Sequence, residues 1–267
     1  MTEDPLTIRG RTIWSSADFL PIARSYEAGA AEFITRLELR AAEAVLDVAC
    51  GTGNLAIPAA LAGARVTGVD IAPNLIDEAK EEARKKGVSV AFEVGDAEAL
   101  PYESGKFDST VTMFGAMFAP RPDRAAEEML RVTKRGGRIA MANWVPNSFV
   151  GQMLKAHVAV VPPPVGVPSP LLWGNEGTVR ERFGDRVRGL TCTPRKIELR
   201  FAMKPAEVTE LFATYYGPTV ATLRAASPEG QRQLRDSLTR LWEEHNLAQG
   251  NGTAVASDYL DVRAQVA

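Results

Sequence analysis

The chain has 267 residues, of which 45% are hydrophobic and 24% charged, with a formal net charge of −2. That length suits one α/β domain with additions rather than two separate domains, and the near-balanced charge offers no general attraction to nucleic acid. No run of about eighteen apolar residues occurs, the Met1 to Pro5 start is acidic and lacks a signal-peptide core, and the two cysteines, Cys50 and Cys192, make no disulfide framework, so the chain reads as cytoplasmic with no membrane insertion.

In chain order, Trp14, Phe19, Ile22 and Tyr26 have roughly helical spacing, which predicts a helical segment over residues 1–40. The apolar run from Ala44 to Val48 predicts a strand at 44–49 covered on both faces. Gly51 and Gly53 then turn the chain tightly into a helix over 55–61, with Asn54 as its N-cap and Pro58 in its first turns. Further strands are predicted at 65–70, 88–94, 107–113 and 138–143. A helix over 73–86 carries Leu75, Ile76, Ala79 and Ala83 on one face and ends at Gly87. Another is predicted over 123–134, with Ala126, Met129, Leu130 and Thr133 along one side. Alternating strands and helices imply βαβ units with right-handed crossovers, and such a sheet binds ligands at the carboxyl ends of its strands.

Beyond residue 143 the pattern predicts a helix over 149–161, a stiff proline connector from Pro162 to Pro170, a strand over 195–203, helices over 205–214 and 228–246, and a closing strand over 257–266. The expected organisation is a single domain, 1–267, divided into the helical segment 1–40, a core 41–143, a proline-containing insertion 144–205 and a C-terminal part 206–267. Two histidines and two scattered cysteines offer no metal-ligand spacing. Cys50 reads as a packed thiol, and His245 as a cation near a helix end.

The most informative run is Val45-Leu46-Asp47-Val48-Ala49-Cys50-Gly51-Thr52-Gly53-Asn54, followed by Asp70 at the end of the next strand. The glycines let backbone approach a ligand, and a carboxylate at that strand end can accept both hydroxyls of a ribose. Together they describe a pocket for an adenosine-containing cofactor. Gly51-x-Gly53-x-x-Ala56 also fits the loose dinucleotide fingerprint, so an NAD-dependent oxidoreductase is the competing reading. Such an enzyme would normally add a Tyr-x-x-x-Lys pair, and here Tyr102 and Lys106 flank a glycine-containing turn instead.

Val45 to Asn54 resembles motif I of the class I S-adenosylmethionine-dependent methyltransferases. Gly68-Val69-Asp70-Ile71-Ala72-Pro73-Asn74-Leu75 resembles their second motif, and Val94-Gly95-Asp96-Ala97-Glu98-Ala99-Leu100-Pro101 their third. Phe107 to Val111 and Leu130 to Arg138 resemble the fourth strand and the entry to the fifth. The ordered set is most similar to the small-molecule branch that includes the ubiquinone and menaquinone methyltransferases. Two other branches match less well, because the tetrapeptide of DNA amino-methyltransferases and the Pro-Cys nucleophile of cytosine-C5 enzymes are both missing.

The resemblance implies a Rossmann-like, doubly wound, seven-stranded, mostly parallel sheet with an antiparallel edge strand. It implies S-adenosylmethionine as cofactor, S-adenosylhomocysteine as product, and in-line methyl transfer to a small-molecule acceptor. Ala49, Gly51, Thr52, Gly53 and Asn54 would form the cofactor loop, and Asp70 with Ile71 the ribose site. Asp96, with Ala97 and Glu98, would clamp the adenine, and Asp47 would support the loop or the cofactor's amino end. Phe114 and Met117 would face the sulfonium and adenine, since an aromatic face attracts a cation. Acceptor-side candidates are Phe118, Trp14, Tyr26, Trp144, His157 and Trp173, with Tyr26 and His157 as candidate bases and segment 1–40 as a lid.

Overall fold

The computed structural model describes residues 4–267, and Met1 to Glu3, the start of the predicted 1–40 segment, lie outside the described residues. Three helices come first: α1 (Pro5–Trp14), α2 (Leu20–Arg24) and α3 (Glu27–Thr35). Asp4 caps α1 by accepting from the Leu6 amide at 2.8 Å, and Pro5 supplies a preset φ at the first helical position.

The sheet comprises β1 (Ala44–Val48), β2 (Arg65–Asp70), β3 (Ala91–Val94), β4 (Phe107–Met113), β5 (Thr133–Trp144), β6 (Val187–Phe201) and β7 (Thr253–Val266), in the order β3-β2-β1-β4-β5-β7-β6. The first five in that order run parallel. β7 inserts between β5 and β6, antiparallel to both. This is the Rossmann-like, seven-stranded, mostly parallel sheet expected from the sequence. Helices α4 (Ala56–Leu61), α5 (Pro73–Lys85) and α6 (Pro122–Val132) make crossovers. Val45, Leu46 and Val48 are fully buried because β1 is covered on both faces. With β2 on one side of β1 and β4 on the other, the strand order reverses there, and a crevice opens above the carboxyl ends.

Several boundaries differ from the sequence reading, each for a local reason. β3 starts at Ala91 rather than 88, because the Val88 amide is spent on the Ala83 carbonyl as α5 unwinds. α6 stops at Val132 because Thr133 already pairs with Phe107, so β5 begins five residues before the predicted 138. β6 begins at Val187 rather than 195. The longer strand takes in Pro194 because β6 is an edge strand, where a missing backbone N–H is tolerated.

The C-terminal helices are α7 (Phe149–Val160), α8 (Glu176–Phe183), α9 (Pro205–Tyr215), α10 (Gly217–Ala225) and α11 (Pro228–Glu244). α8 and α10 were not predicted. Gly217-Pro218 reads as a break, but it starts α10 immediately after α9, leaving Tyr216 as the corner residue. A Cβ at Gly217 would stand 2.5 Å from the Ile13 carbonyl oxygen, so α10 abuts the end of α1. That contact sets Tyr216 beside Trp14, with ring centroids 6.0 Å apart.

Candidate active site

Above β1, β2 and β4 lies a cavity lined by the strand ends, the loops that follow them and the N-terminal helices. One wall is polar and built by the loops after β1, β2 and β3. The chain leaves β1 through Ala49 (φ 55°), Cys50, Gly51 (φ 52°), Thr52 and Gly53 (φ 90°). The left-handed backbone is natural for the glycines and strained for Ala49. Asp70 holds this loop: one carboxylate oxygen accepts from the Gly51 amide at 2.8 Å, the other from the Ala72 amide at 2.9 Å. Asp70 lines the cavity.

Asp47 is buried and accepts from the Ala56 amide at the start of α4, at 3.0 Å. Burial pushes its carboxyl well above the usual carboxylate range, and the nearby Asp70 adds to the effect. Asp96 accepts from the Glu98 amide at 2.9 Å and from the Thr7 hydroxyl at 3.1 Å, which ties α1 to the loop after β3. Thr52 lines the cavity, and its Oγ1 is buried with no hydrogen-bond partner among the described residues. A buried orphan hydroxyl at a glycine loop is where a ligand's polar atom fits.

The opposite wall is aromatic. Phe114, itself in the left-handed region at φ 59°, stacks on Trp144 with centroids 3.5 Å apart and planes 9° apart. Tyr26 meets Phe114 edge-on at 5.9 Å. Trp14 packs against Phe118 at 5.1 Å, and Phe19 and Tyr216 complete this wall. The N-terminal helices therefore cover the cavity. Arg121 fastens α1, with its Nη1 donating to Asp4 at 2.8 Å and its Nε to Glu98 at 2.5 Å.

Of the residues singled out from the sequence, Asp47, Ala49, Gly51, Thr52, Asn54, Asp70, Ile71, Asp96, Ala97, Phe114, Phe118, Trp14, Tyr26 and Trp144 line this one cavity. Five lie elsewhere. Gly53 sits behind the loop, where an added Cβ would meet Ile57 at 3.1 Å and Phe92 at 3.3 Å, so its part is conformational. Glu98 turns away from the cavity, and its buried carboxylate is occupied by the Arg121 amide and guanidinium. Met117 is fully buried in the core beneath the loop after β4. Trp173 is buried under the guanidinium of Arg182, 4.4 Å from its ring. His157 is buried between helices, its Nδ1 2.7 Å from the Met153 carbonyl and its Nε2 2.8 Å from the Thr219 hydroxyl.

A carbonyl only accepts, so His157 Nδ1 carries the proton and Nε2 accepts from Thr219. Burial lowers the ring's pKa from 6.5 to about 4. His157 is thus a neutral structural residue rather than a base. Its folded-state pKa is depressed, so the stability it contributes is present above pH 6.5 and is lost as pH falls toward about 4. Thermal unfolding should show that loss, on the order of 3 kcal/mol, and His157→Gln should flatten the profile between those two pH values. An equal loss in the variant would refute this assignment.

Asn54 also departs from expectation. Leu55, not Asn54, occupies the N-cap of α4, and the Asn54 amide donates to the Ala23 carbonyl at 2.9 Å, tethering α2 to the loop. Cys50 is a buried thiol whose pKa burial raises, in keeping with a packed role. The sequence reading missed Thr7 and Tyr216. The Asp96 bond marks Thr7 only once the fold is known, and Tyr216 stands at a helix junction that carries no motif. Among the described residues no cluster of three potential metal ligands occurs, and no helix is long and apolar enough to cross a membrane.

Comparison with known proteins follows this geometry. A family profile described as a methyltransferase domain matches residues 45–137, which span the polar wall. An uncharacterized protein of Mycobacterium tuberculosis is 36% identical over 239 residues, covering 88% of this chain and 87% of the relative. A ubiquinone/menaquinone biosynthesis C-methyltransferase of Allorhizobium ampelinum is 44% identical over 100 residues, 36% of this chain and 39% of the relative. The crystal structure of YcgJ from Bacillus subtilis shares the fold with a TM-score of 0.61 at 19% identity, over 90% of this chain and 98% of that one.

Proposed function

The chain belongs to the class I S-adenosylmethionine-dependent methyltransferases, and from that premise we propose that it methylates a small molecule enclosed within the cavity. The observation that carries this reading is the convergence of Asp70, Asp96 and the orphan Thr52 hydroxyl on one cavity beside the glycine loop. Asp70 is positioned to take the ribose hydroxyls of S-adenosylmethionine, and Asp96 with the Ala97 amide to take the adenine. Thr52 and Asp47 face the amino-acid end. Bound there, S-adenosylmethionine would supply a methyl group activated by its positively charged sulfur.

The chain's own residues orient and exclude. Holding two reactants in line can lower a barrier by as much as about 7–11 kcal/mol. α1 and α2 close over the cavity, α1 held by the Arg121 tie to Asp4 and α2 by the Asn54 bond to the Ala23 carbonyl, which shields the site from bulk water. An acceptor enclosed by these helices has to be small. The oxidoreductase alternative finds no support, since Tyr26 and Tyr216 line the cavity and no lysine is among its described lining residues.

Titration calorimetry with S-adenosylhomocysteine and NAD tests the proposal. The thioether nucleoside should bind in the micromolar range, about −8 kcal/mol. Tight NAD binding with no response to S-adenosylhomocysteine would reverse it.

A further inference from the structure

Of the ten residues of α1 only Thr7 is buried, and Thr7 is polar. A helix that fully buries no apolar side chain gains little from hydrophobic area, so hydrogen bonds decide where it sits. Those bonds form one closed ring. The Thr7 hydroxyl takes a bond from Arg121 Nη2 at 3.2 Å and donates to Asp96 Oδ2 at 3.1 Å. Asp96 Oδ1 accepts from the Glu98 amide at 2.9 Å, and Glu98 accepts from Arg121 Nε at 2.5 Å, which returns the ring to Arg121. The remaining arm of the guanidinium, Nη1, reaches Asp4 at 2.8 Å, and Asp4 is the residue that caps α1.

The direction of each proton follows from the chemistry. A guanidinium only donates, so the Thr7 oxygen must accept from Arg121, and its single proton is left for Asp96. The charge on Arg121 polarises that hydroxyl and strengthens the bond it passes on. Asp96 is thereby anchored at both oxygens, one from its own turn and one from α1. A carboxylate fixed in this way accepts from an amino group and repels a carbonyl oxygen. The same face of α1 continues to the other end of the cavity. Thr7, Gly10 and Trp14 all line it, at spacings of three and four residues, and Trp14 meets Phe118 at 5.1 Å and Tyr216 at 6.0 Å. With a rise of about 1.5 Å per residue, Thr7 and Trp14 lie roughly 10 Å apart along one helix.

We propose that Thr7 is a positioning residue of the cofactor site, one that aims Asp96 at the adenine amino group and makes the seating of α1 and the binding of the nucleoside a single event. This rests on the methyltransferase reading and deepens it. Coupling of this kind is reciprocal: a seated α1 strengthens nucleoside binding, and bound nucleoside strengthens the seat by the same factor. Because α1 also carries Trp14, a ligand in the polar half of the cavity fixes the aromatic half in place.

The test uses titration calorimetry on the full chain to compare S-adenosylhomocysteine with S-inosylhomocysteine, in which a carbonyl replaces the amino group, and follows amide hydrogen exchange in α1. The wild type should prefer the adenine ligand at least about tenfold, and S-adenosylhomocysteine should slow exchange in α1. Thr7→Val, of the same shape without the hydroxyl, should bind S-adenosylhomocysteine about fivefold or more weakly, cut the preference to about threefold or less and abolish the slowing. A loss of the preference between two ligands is not what general destabilisation gives. Thr7→Ser, which keeps the hydroxyl, should restore both readouts, and Arg121→Gln should shift both in the direction of Thr7→Val. A Thr7→Val variant that keeps the wild-type preference overturns the inference, as does a wild type whose α1 exchange ignores the ligand. Equal binding of the two ligands by the wild type also overturns it and leaves the methyltransferase reading standing, since S-adenosylhomocysteine still binds. If S-adenosylhomocysteine fails to bind the wild type, that reading falls and this inference with it.

Discussion

Replacing Asp70 with alanine should weaken S-adenosylhomocysteine binding at least tenfold, about 1.4 kcal/mol, in titration calorimetry. Two effects add. The ribose loses its carboxylate, and charge-assisted hydrogen bonds are worth roughly 1.5–3 kcal/mol when desolvated. The amides of Gly51 and Ala72 also lose the acceptor that shapes the loop at 2.8 and 2.9 Å. Each buried N–H left unpaired costs roughly 1–3 kcal/mol, so the melting temperature should fall as well. Asp70→Asn separates the two, since its single carbonyl oxygen can keep one of these amides paired. The fold should then be less disturbed while binding remains weakened. Unchanged affinity in Asp70→Ala would remove the ribose assignment and, with it, the main support for the proposed cofactor site.

The second large effect is expected at Gly115, which no sequence motif marks. A Cβ there would lie 2.4 Å from the Ala49 carbonyl oxygen and 2.7 Å from the Ala49 Cβ. Ala49 already has φ 55°, and Phe114, one residue before Gly115, has φ 59°, so neither chain can give way cheaply. Gly115→Ala should therefore cost on the order of 3 kcal/mol in urea unfolding, the upper end of the overpacking range, and abolish measurable S-adenosylhomocysteine binding by displacing the loop after β1. Gly10→Ala is the contrast, because its added methyl meets nothing within 4 Å. If Gly115→Ala is as stable and as competent in binding as Gly10→Ala, the close packing of these two loops does not govern the site.

The polar wall was legible in the sequence because it is local. Asp47, Gly51, Thr52 and Asp70 lie on one strand–turn–helix–strand unit, and their spacing alone brings them to one wall of the cavity. Glu98 shows how far such reading extends. It follows Asp96 by two residues, yet the turn that Asp96 caps sends its side chain to Arg121 instead of the cavity. His157 and Trp173 failed for a related reason. A polar or aromatic residue in an apolar stretch announces burial, but not which side of its helix or turn faces the ligand.

The sequence by itself determined the order of strands and helices through β5, the glycine bend and the two acidic anchors, since these follow from periodicity and short-range steric rules. Tertiary structure alone decided the aromatic wall. Trp14, Phe118, Trp144 and Tyr216 are separated by long stretches of chain, and they meet because α1 folds back over the sheet, Gly217 lets α10 approach it and β7 inserts beside β5. Such meetings depend on packing between distant segments, which no local pattern encodes. For that reason the polar wall of the cavity can be read from the residues in order, while the aromatic wall exists only once the chain has closed on itself.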